Sequence, residues 1–297
     1  MPRLARLLVF LVLPPAGFAQ DVHKQVGSVT ISVDRSHAVP GGALVVHLRS
    51  RRPLGTSYAI LDGRRAPFLP SRQGPRAHVP IVATAVPGKA TLGIEIRGRR
   101  GRQRIPVPLS IDPRAFSARS LVVPEEKRFL LALPERTRDG RRLLAALRTL
   151  SREKLWNGPF RPPVDASPSD TFGAPTSYQG GSPVEAGMDG IYGEYHRGLD
   201  YPVPPGTIVQ APAAGKVVLS GAHALTGNTL VLDHGQGIVS VLFHLGPIEV
   251  SLGDAVEARA PIAVSGESGI APSPHVHWGT YLHGVAVDPR MLSELLD

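Results

Sequence analysis

Between His196 and His277 the sequence carries five side chains suited to holding a metal ion and moving a proton beside it. They fall in three short runs: H-R-G-L-D (His196 to Asp200), F-H-L (Phe243 to Leu245) and P-H-V-H-W (Pro274 to Trp278). Strand side chains alternate faces, so His275 and His277 project from one side and Val276 and Trp278 from the other. Such a pair alone is a weak signal, because H-x-H also arises in ordinary core strands. His196 and Asp200 strengthen it: Gly198 between them permits a bend that brings imidazole and carboxylate together at the head of a strand. A catalytic zinc takes three protein ligands at roughly 2.0–2.2 Å and keeps one position open for water. His196, Asp200 and one of the closing histidines meet that count. His244 is expected on a strand whose Val241, Phe243 and Leu245 face the opposite way. A buried, hydrogen-bonded histidine is the bland alternative for it, and the company of the other four favours the site.

The elements that must position these residues read as β structure. From His196 onward, short apolar runs are separated by turns expected near Gly221, at Asp233-His234-Gly235 and at His283-Gly284. No helix is indicated before the last few residues, so an antiparallel sheet with long loops is expected over residues 167–297. His223, His234 and His283 sit beside turn glycines or in loops and are assigned structural roles.

Upstream, residues 20–113 alternate apolar and polar positions in about seven short runs, such as Val29-Ile31-Val33, Val45 with His47, Val79 with Ile81, and Ile105 to Ile111. Pro-Gly, Asp-Gly and Arg-Gly turns punctuate them, which predicts an immunoglobulin-like sandwich. Residues 114–166 form a helical linker in this reading. Pro124 followed by Glu125 and Glu126 is a good helix start, and Leu143, Leu144, Leu147 and Leu150 recur at helical spacing. A Ser/Pro/Gly-rich stretch follows to about Gly190, read as a tether whose loop after Phe172 borders the site. The fold class is therefore mostly β: a sandwich, a helical connection and a C-terminal antiparallel sheet.

The first residues have a basic start (Arg3, Arg6), an apolar run from Leu7 to Leu13, and small residues at Gly17 and Ala19. This is the layout of a signal peptide over residues 1–19, cleaved after Ala19. The run is well short of the roughly 20 residues that span a bilayer, and no later segment replaces it. The expectation is a periplasmic or secreted protein of the cell envelope without a stable membrane span. The sequence has no cysteine, which excludes a disulfide framework, a thiolate metal site and a cysteine nucleophile. The net charge of +9 divides unevenly: residues 1–160 hold 28 basic and 10 acidic side chains (+18), residues 161–297 hold 5 and 14 (−9). The basic half suits an acidic polymer or the acidic half of its own chain. It lacks the interleaved aromatics of a nucleic-acid surface, so no nucleic-acid partner is expected.

The three runs together resemble the zinc metallopeptidases of the lysostaphin/LytM type, peptidase family M23. The framing residues agree: Ala211-Pro212 to Gly215, Gly227-Asn228, Asp233-His234-Gly235, Gly253-Asp254 and Val287-Asp288-Pro289. The resemblance covers about residues 167–290. It implies that His196, Asp200 and His277 bind Zn2+ and that His244 and His275 form the catalytic pair. It also implies a tyrosine assisting the tetrahedral intermediate. Tyr192 and Tyr195 are the candidates, although neither stands at the family's usual spacing. A second departure is Leu242-Phe243 where a tyrosine-led run is usual. The implied activity is hydrolysis of peptide cross-links in peptidoglycan, with its stem peptides as substrate. The D-alanyl–diaminopimelate bond is the first choice and an envelope protein the expected regulator. The alternative within the family is a non-enzymatic or latent factor that activates a wall amidase or acts in division. A lipoyl-like carrier, suggested by Ala211 to Gly221, is disfavoured because Lys216 runs straight into Val217 and Val218 rather than sitting at a hairpin tip.

Overall fold

The computed structural model describes residues 22–51, 53–98, 101–169, 172–182 and 193–296. The signal-peptide expectation for residues 1–19 and the candidate Tyr192 lie outside them.

Eight strands build the front of the molecule: β1 (Val22–Val26), β2 (Val29–Asp34), β3 (Ala43–Ser50), β4 (Tyr58–Leu61), β5 (Arg64–Pro67), β6 (Arg76–Pro80), β7 (Gly88–Gly98) and β8 (Gly101–Ile111). They form two antiparallel four-stranded sheets, ordered β1-β2-β3-β6 and β5-β4-β7-β8. Ile31, Leu44, Val46 and Leu48 of one sheet share a core with Leu92, Ile94, Ile105 and Val107 of the other. The two sheets pack on each other with eight strands in all, where the sequence suggested about seven. In β8 the buried positions Ile105, Val107, Leu109 and Ile111 alternate with exposed ones, among them Pro106 and Pro108. Those prolines are tolerated because β8 is an edge strand. Asp62-Gly63 makes the β4–β5 turn with φ 48° and 76°, the left-handed pair that matches strand twist.

One face assignment is reversed. The core of β3 takes Leu44, Val46 and Leu48, while Val45 and His47 point the other way. Alternation misleads here because the outer face of β3 and β6 is also covered. His78 is buried with its ring 6.3 Å from that of Trp156, and Gln236 Nε2 donates to the Pro70 carbonyl at 2.9 Å.

Residues 114–166 are less helical than expected. They begin with a strand, β9 (Arg119–Val122), which pairs in parallel with β10 (Thr176–Gln179). A 3-10 helix spans Glu125–Ala132 after Pro124, and α1 covers Glu135–Leu147. Leu143 and Leu147 are buried in the second core, whereas Leu150 lies beyond the helix and is exposed. The stretch after Gly158 is no free tether either, since Phe160, Val164, Phe172 and Ala174 are all buried.

The remaining strands are β11 (Leu199–Tyr201), β12 (Ile208–Gln210), β13 (Gly215–His223), β14 (Gly227–Gly235), β15 (Ile238–Ile248), β16 (Ala255–Val256), β17 (Pro261–Ser265), β18 (Val276–Leu282) and β19 (Val285–Val287). They form one nine-stranded sheet along the path β11-β18-β15-β14-β13-β16; β12 pairs with β17, β17 also with β15, and β19 with β18. Every pairing in it is antiparallel, as expected. Two turns are shifted from their expected places. Gly221 lies inside β13, and Asp233-His234-Gly235 ends β14, so the hairpin tip is Gln236-Gly237 with φ 53° and 77°. His283-Gly284 is a turn as expected. The chain closes with α2 (Pro289–Leu295), capped by the Asp288 side chain accepting from the Arg290 amide. Asp288 also takes the Arg114 guanidinium at 2.5 Å, and His37 meets Glu294 at 2.9 Å, so the sandwich side is tied to this terminal helix.

Candidate metal centre and cleft

Trp278 and Val276 of β18 enter the core, which turns His277 to the opposite face. Asp200 in β11 pairs directly with His277 in register, and paired residues on adjacent strands share a face. His196 precedes that strand. The result is a triangle: His196 Nε2 lies 3.1 Å from Asp200 Oδ1 and 3.0 Å from His277 Nδ1, and His277 Nδ1 lies 2.8 Å from Asp200 Oδ1. Two imidazole nitrogens and a carboxylate oxygen converging on one point suit a small divalent cation, and these are the residues whose ligand atoms cluster among those described.

Gly198 serves this triangle through the expected bend and also through space. A Cβ there would stand 2.4 Å from the Trp278 carbonyl oxygen and 2.7 Å from His277 Cε1, so only glycine lets β11 approach β18 this closely. Phe243 adds a wall. It is the register partner of His277 and stacks on that imidazole at 5.0 Å with 7° between planes.

Phe243 therefore faces the site, and strict alternation would send His244 away from it. The structure corrects the sequence expectation here. His244 takes φ 61°, a left-handed conformation uncommon for a residue other than glycine, and the turn brings its ring into the same cleft. The amide of His244 donates to the Thr226 carbonyl at 2.9 Å, which fixes the distortion. Its ring lies 4.8 Å from that of His275.

The protonation of this pair is set by backbone carbonyls. His244 Nδ1 donates to the Ser268 carbonyl and His275 Nδ1 to the Ser273 carbonyl, each at 2.8 Å. A carbonyl only accepts, so Nδ1 carries the proton and Nε2 of the neutral ring keeps a lone pair. Ser268 is itself anchored, its hydroxyl donating to the Leu245 carbonyl at 2.7 Å and accepting from the Asn228 amide at 2.8 Å. Burial, with His275 alongside, holds the His244 imidazole well below its ordinary pKa. Burial likewise pushes His277 down to about 4 against the opposing pull of Asp200. For Asp200, burial acts to raise the carboxyl, but the charges and hydrogen bonds of His196 and His277 prevail and keep it well below the usual range. His234, read from sequence as structural, is that: its ring is buried between the Ala214 carbonyl and Ser240 Oγ at 2.8 and 2.9 Å.

These side chains line a cleft of about 320 Å³. Tyr195 lies on it, its phenolic oxygen accepting from Arg197 Nη1 at 2.8 Å with the guanidinium 4.5 Å from the ring centre. Three contributors were not legible in the sequence: Arg119, the β9 residues Ser120 to Val122, and Tyr178, whose hydroxyl donates to the Gly193 carbonyl. Arg119 Nη1 reaches Asp200 Oδ2 at 2.9 Å. Nothing local distinguishes Arg119 from the other arginines of the basic half, and its partner is 81 residues away.

Fold and site together define a β-sheet domain with a two-histidine, one-carboxylate centre beside a histidine pair. Residues 194–289 match peptidase family M23. A crystal structure ascribed to an M23 peptidase of Pseudomonas aeruginosa superposes with a TM-score of 0.62 at 30% identity, covering 86% of this chain and 94% of that one. This chain belongs to peptidase family M23. It is also 33% identical over 93 residues to the peptidoglycan DD-endopeptidase ShyA of Vibrio cholerae, and 30% identical over 97 residues to an uncharacterized metalloprotease of Buchnera aphidicola. Those alignments cover 31% and 33% of this chain but only 22% and 26% of the relatives.

Proposed function

We propose that the chain is an exported zinc metalloendopeptidase that hydrolyses peptide cross-links of peptidoglycan. His196, Asp200 and His277 hold the ion, and His244 and His275 are the catalytic pair. The observation that carries the proposal is the tautomer of that pair: two imidazoles beside the ligand triangle, each with Nδ1 tied to a carbonyl. Bound zinc supplies a Lewis acid for a carbonyl oxygen and lowers the pKa of a water to about 7.

The protein's own groups do the rest. An Nε2 lone pair of the pair accepts the proton that a water gives up on attacking the scissile carbonyl. The resulting imidazolium can stabilise the oxyanion and then return its proton to the leaving amine. Burial holds the His244 imidazole well below its ordinary value, which keeps that ring uncharged until the step. Phe243 stacks on the His277 ring, and Tyr195, which lines the cleft as Tyr178 also does, is the candidate to assist the tetrahedral intermediate. The substrate class rests on relatives named as peptidoglycan DD-endopeptidases and DD-carboxypeptidase/endopeptidases. The D-alanyl–diaminopimelate cross-link is the preferred bond.

The test is digestion of purified Gram-negative sacculi, with mass spectrometry of what is released. New amino groups at cross-bridges are expected, and they should vanish on chelation and in His277→Ala. No release from protein with confirmed bound zinc would overturn the enzyme reading in favour of a non-enzymatic wall factor.

A further inference from the structure

The carboxylate of Asp200 has its two oxygens committed in different directions. Oδ1 faces His196 Nε2 at 3.1 Å and His277 Nδ1 at 2.8 Å, with His275 Nε2 at 3.8 Å. Oδ2 faces away from that triangle and accepts from Arg119 Nη1 at 2.9 Å. Terminal carboxylate torsions are broad and two-fold, so Asp200 alone has no reason to hold one oxygen toward the histidines. The two histidines on Oδ1 and the guanidinium on Oδ2 together fix that orientation.

Arg119 is itself held. Its Nε donates to Thr176 Oγ1 at 3.0 Å, and that hydroxyl donates to the Ala174 carbonyl at 3.0 Å. Arg119 and Thr176 are register partners in the parallel β9–β10 pair. The Arg119 and Asp200 side chains are only 15% and 14% exposed, so water screens the pair weakly. Both strands lie outside the 194–289 match to the family, whereas Asp200 lies inside it.

We propose that Arg119 is a positioning residue of the metal centre: it occupies Asp200 Oδ2, so that the carboxylate presents Oδ1 alone to the ion. The segment before the peptidase sheet is thereby part of the centre. This rests on the reading of His196, Asp200 and His277 as ligands.

The test uses the full chain, with Zn2+ and Co2+ as probes. Zinc dissociation constants are measured by competition with a chromophoric chelator, and the visible absorption of the cobalt-loaded protein reports coordination number. Partners that orient metal ligands are typically worth 10–100-fold in affinity, so Arg119→Ala is expected to weaken zinc binding by about tenfold or more. With Oδ2 released to approach the ion, its cobalt band should weaken as the coordination number rises. Arg119→Lys keeps the charge but not the planar fork that also bonds Thr176, and should fall between the two. Thr176→Val, which frees Nε, should show the cobalt change with a smaller affinity loss. Arg65→Ala, breaking an exposed pair with Glu95, should leave both readouts unchanged.

Thermal unfolding of the metal-free forms verifies that each variant folds; if Arg119→Ala does not, the lysine and valine variants decide. Zinc affinity of the folded variants within about twofold of wild type, with an unchanged cobalt spectrum, would overturn the proposal, being far below the usual effect of such a partner. Wild-type protein that takes up no zinc would overturn it together with the ligand reading. Zinc binding without release from sacculi would sink only the proposed activity.

Discussion

The sandwich and the peptidase sheet are both antiparallel β structures, yet they bury different things. Of the sixteen buried polar residues among those described, thirteen lie between His196 and Asp288 and only Ser57 and His78 lie in the sandwich. Burying a polar group costs free energy unless it is hydrogen-bonded, so a region that collects such groups must satisfy them one by one. At the site the peptidase sheet does so through the Ser268 and Ser273 carbonyls and the Asp200 triangle, and beside it through the Ala214–His234–Ser240 chain. The sandwich core is aliphatic and needs none of this. Glycine shows the same contrast. Gly63 is needed for its φ of 76° with nothing within 4 Å, and Gly198 for space.

The sharpest test of this contrast compares losses of activity with losses of stability. His275→Ala and His244→Ala should each lower sacculus hydrolysis by about 10²–10⁴-fold while zinc content is retained, the usual worth of general acid–base groups. Ile94→Ala, in the fully buried sandwich core, should cost about 2–5 kcal/mol of stability in denaturant unfolding and leave zinc affinity unchanged. Equal effects of both kinds of substitution on metal affinity would dissolve the distinction.

Gly198→Ala probes the close approach of β11 and β18. It should cost about 1–3 kcal/mol as overpacking and weaken zinc binding in chelator competition. Gly63→Ala should cost about 1–2 kcal/mol through φ alone and leave the metal untouched.

The boundary between the regions gives a pH effect. Burial pushes His283 down to about 4, and burial together with Arg76 holds His78 well below its ordinary value. A histidine depressed in the folded state binds its proton more readily when unfolded. Its contribution is therefore full above about pH 6.5 and lost as pH falls toward 4. Thermal midpoints should drop across that window, and His283→Asn, which tolerates the left-handed turn at φ 51°, should flatten the drop. The smallest effect is expected at Arg65–Glu95, where the arginine is 47% exposed; breaking the pair should change stability by about 0–1 kcal/mol.

Much of this architecture is legible in the sequence. Alternation placed Ile105 to Ile111 correctly, and Asp62-Gly63 and His283-Gly284 are turns because few other dipeptides accept two left-handed residues. Reading failed where a second surface intervened. Val45 and His47 lie under the peptidase side, so both faces of β3 are covered and its pattern no longer names the core. Leu150 continued a helical spacing that the chain had already left at Leu147.

At the site, the sequence by itself determined the chemical types: two histidines and a carboxylate able to share an ion, and two further histidines able to carry protons. Those follow from side-chain chemistry and from the two-residue repeat of a strand, both of which are local. Tertiary structure decided which oxygen of Asp200 faces the histidines, which ring nitrogen of His244 and His275 is protonated, that His244 turns inward at φ 61°, and that Arg119 belongs with them. Each of these depends on a partner brought close by packing rather than by spacing, and residue types along the chain carry no record of such partners.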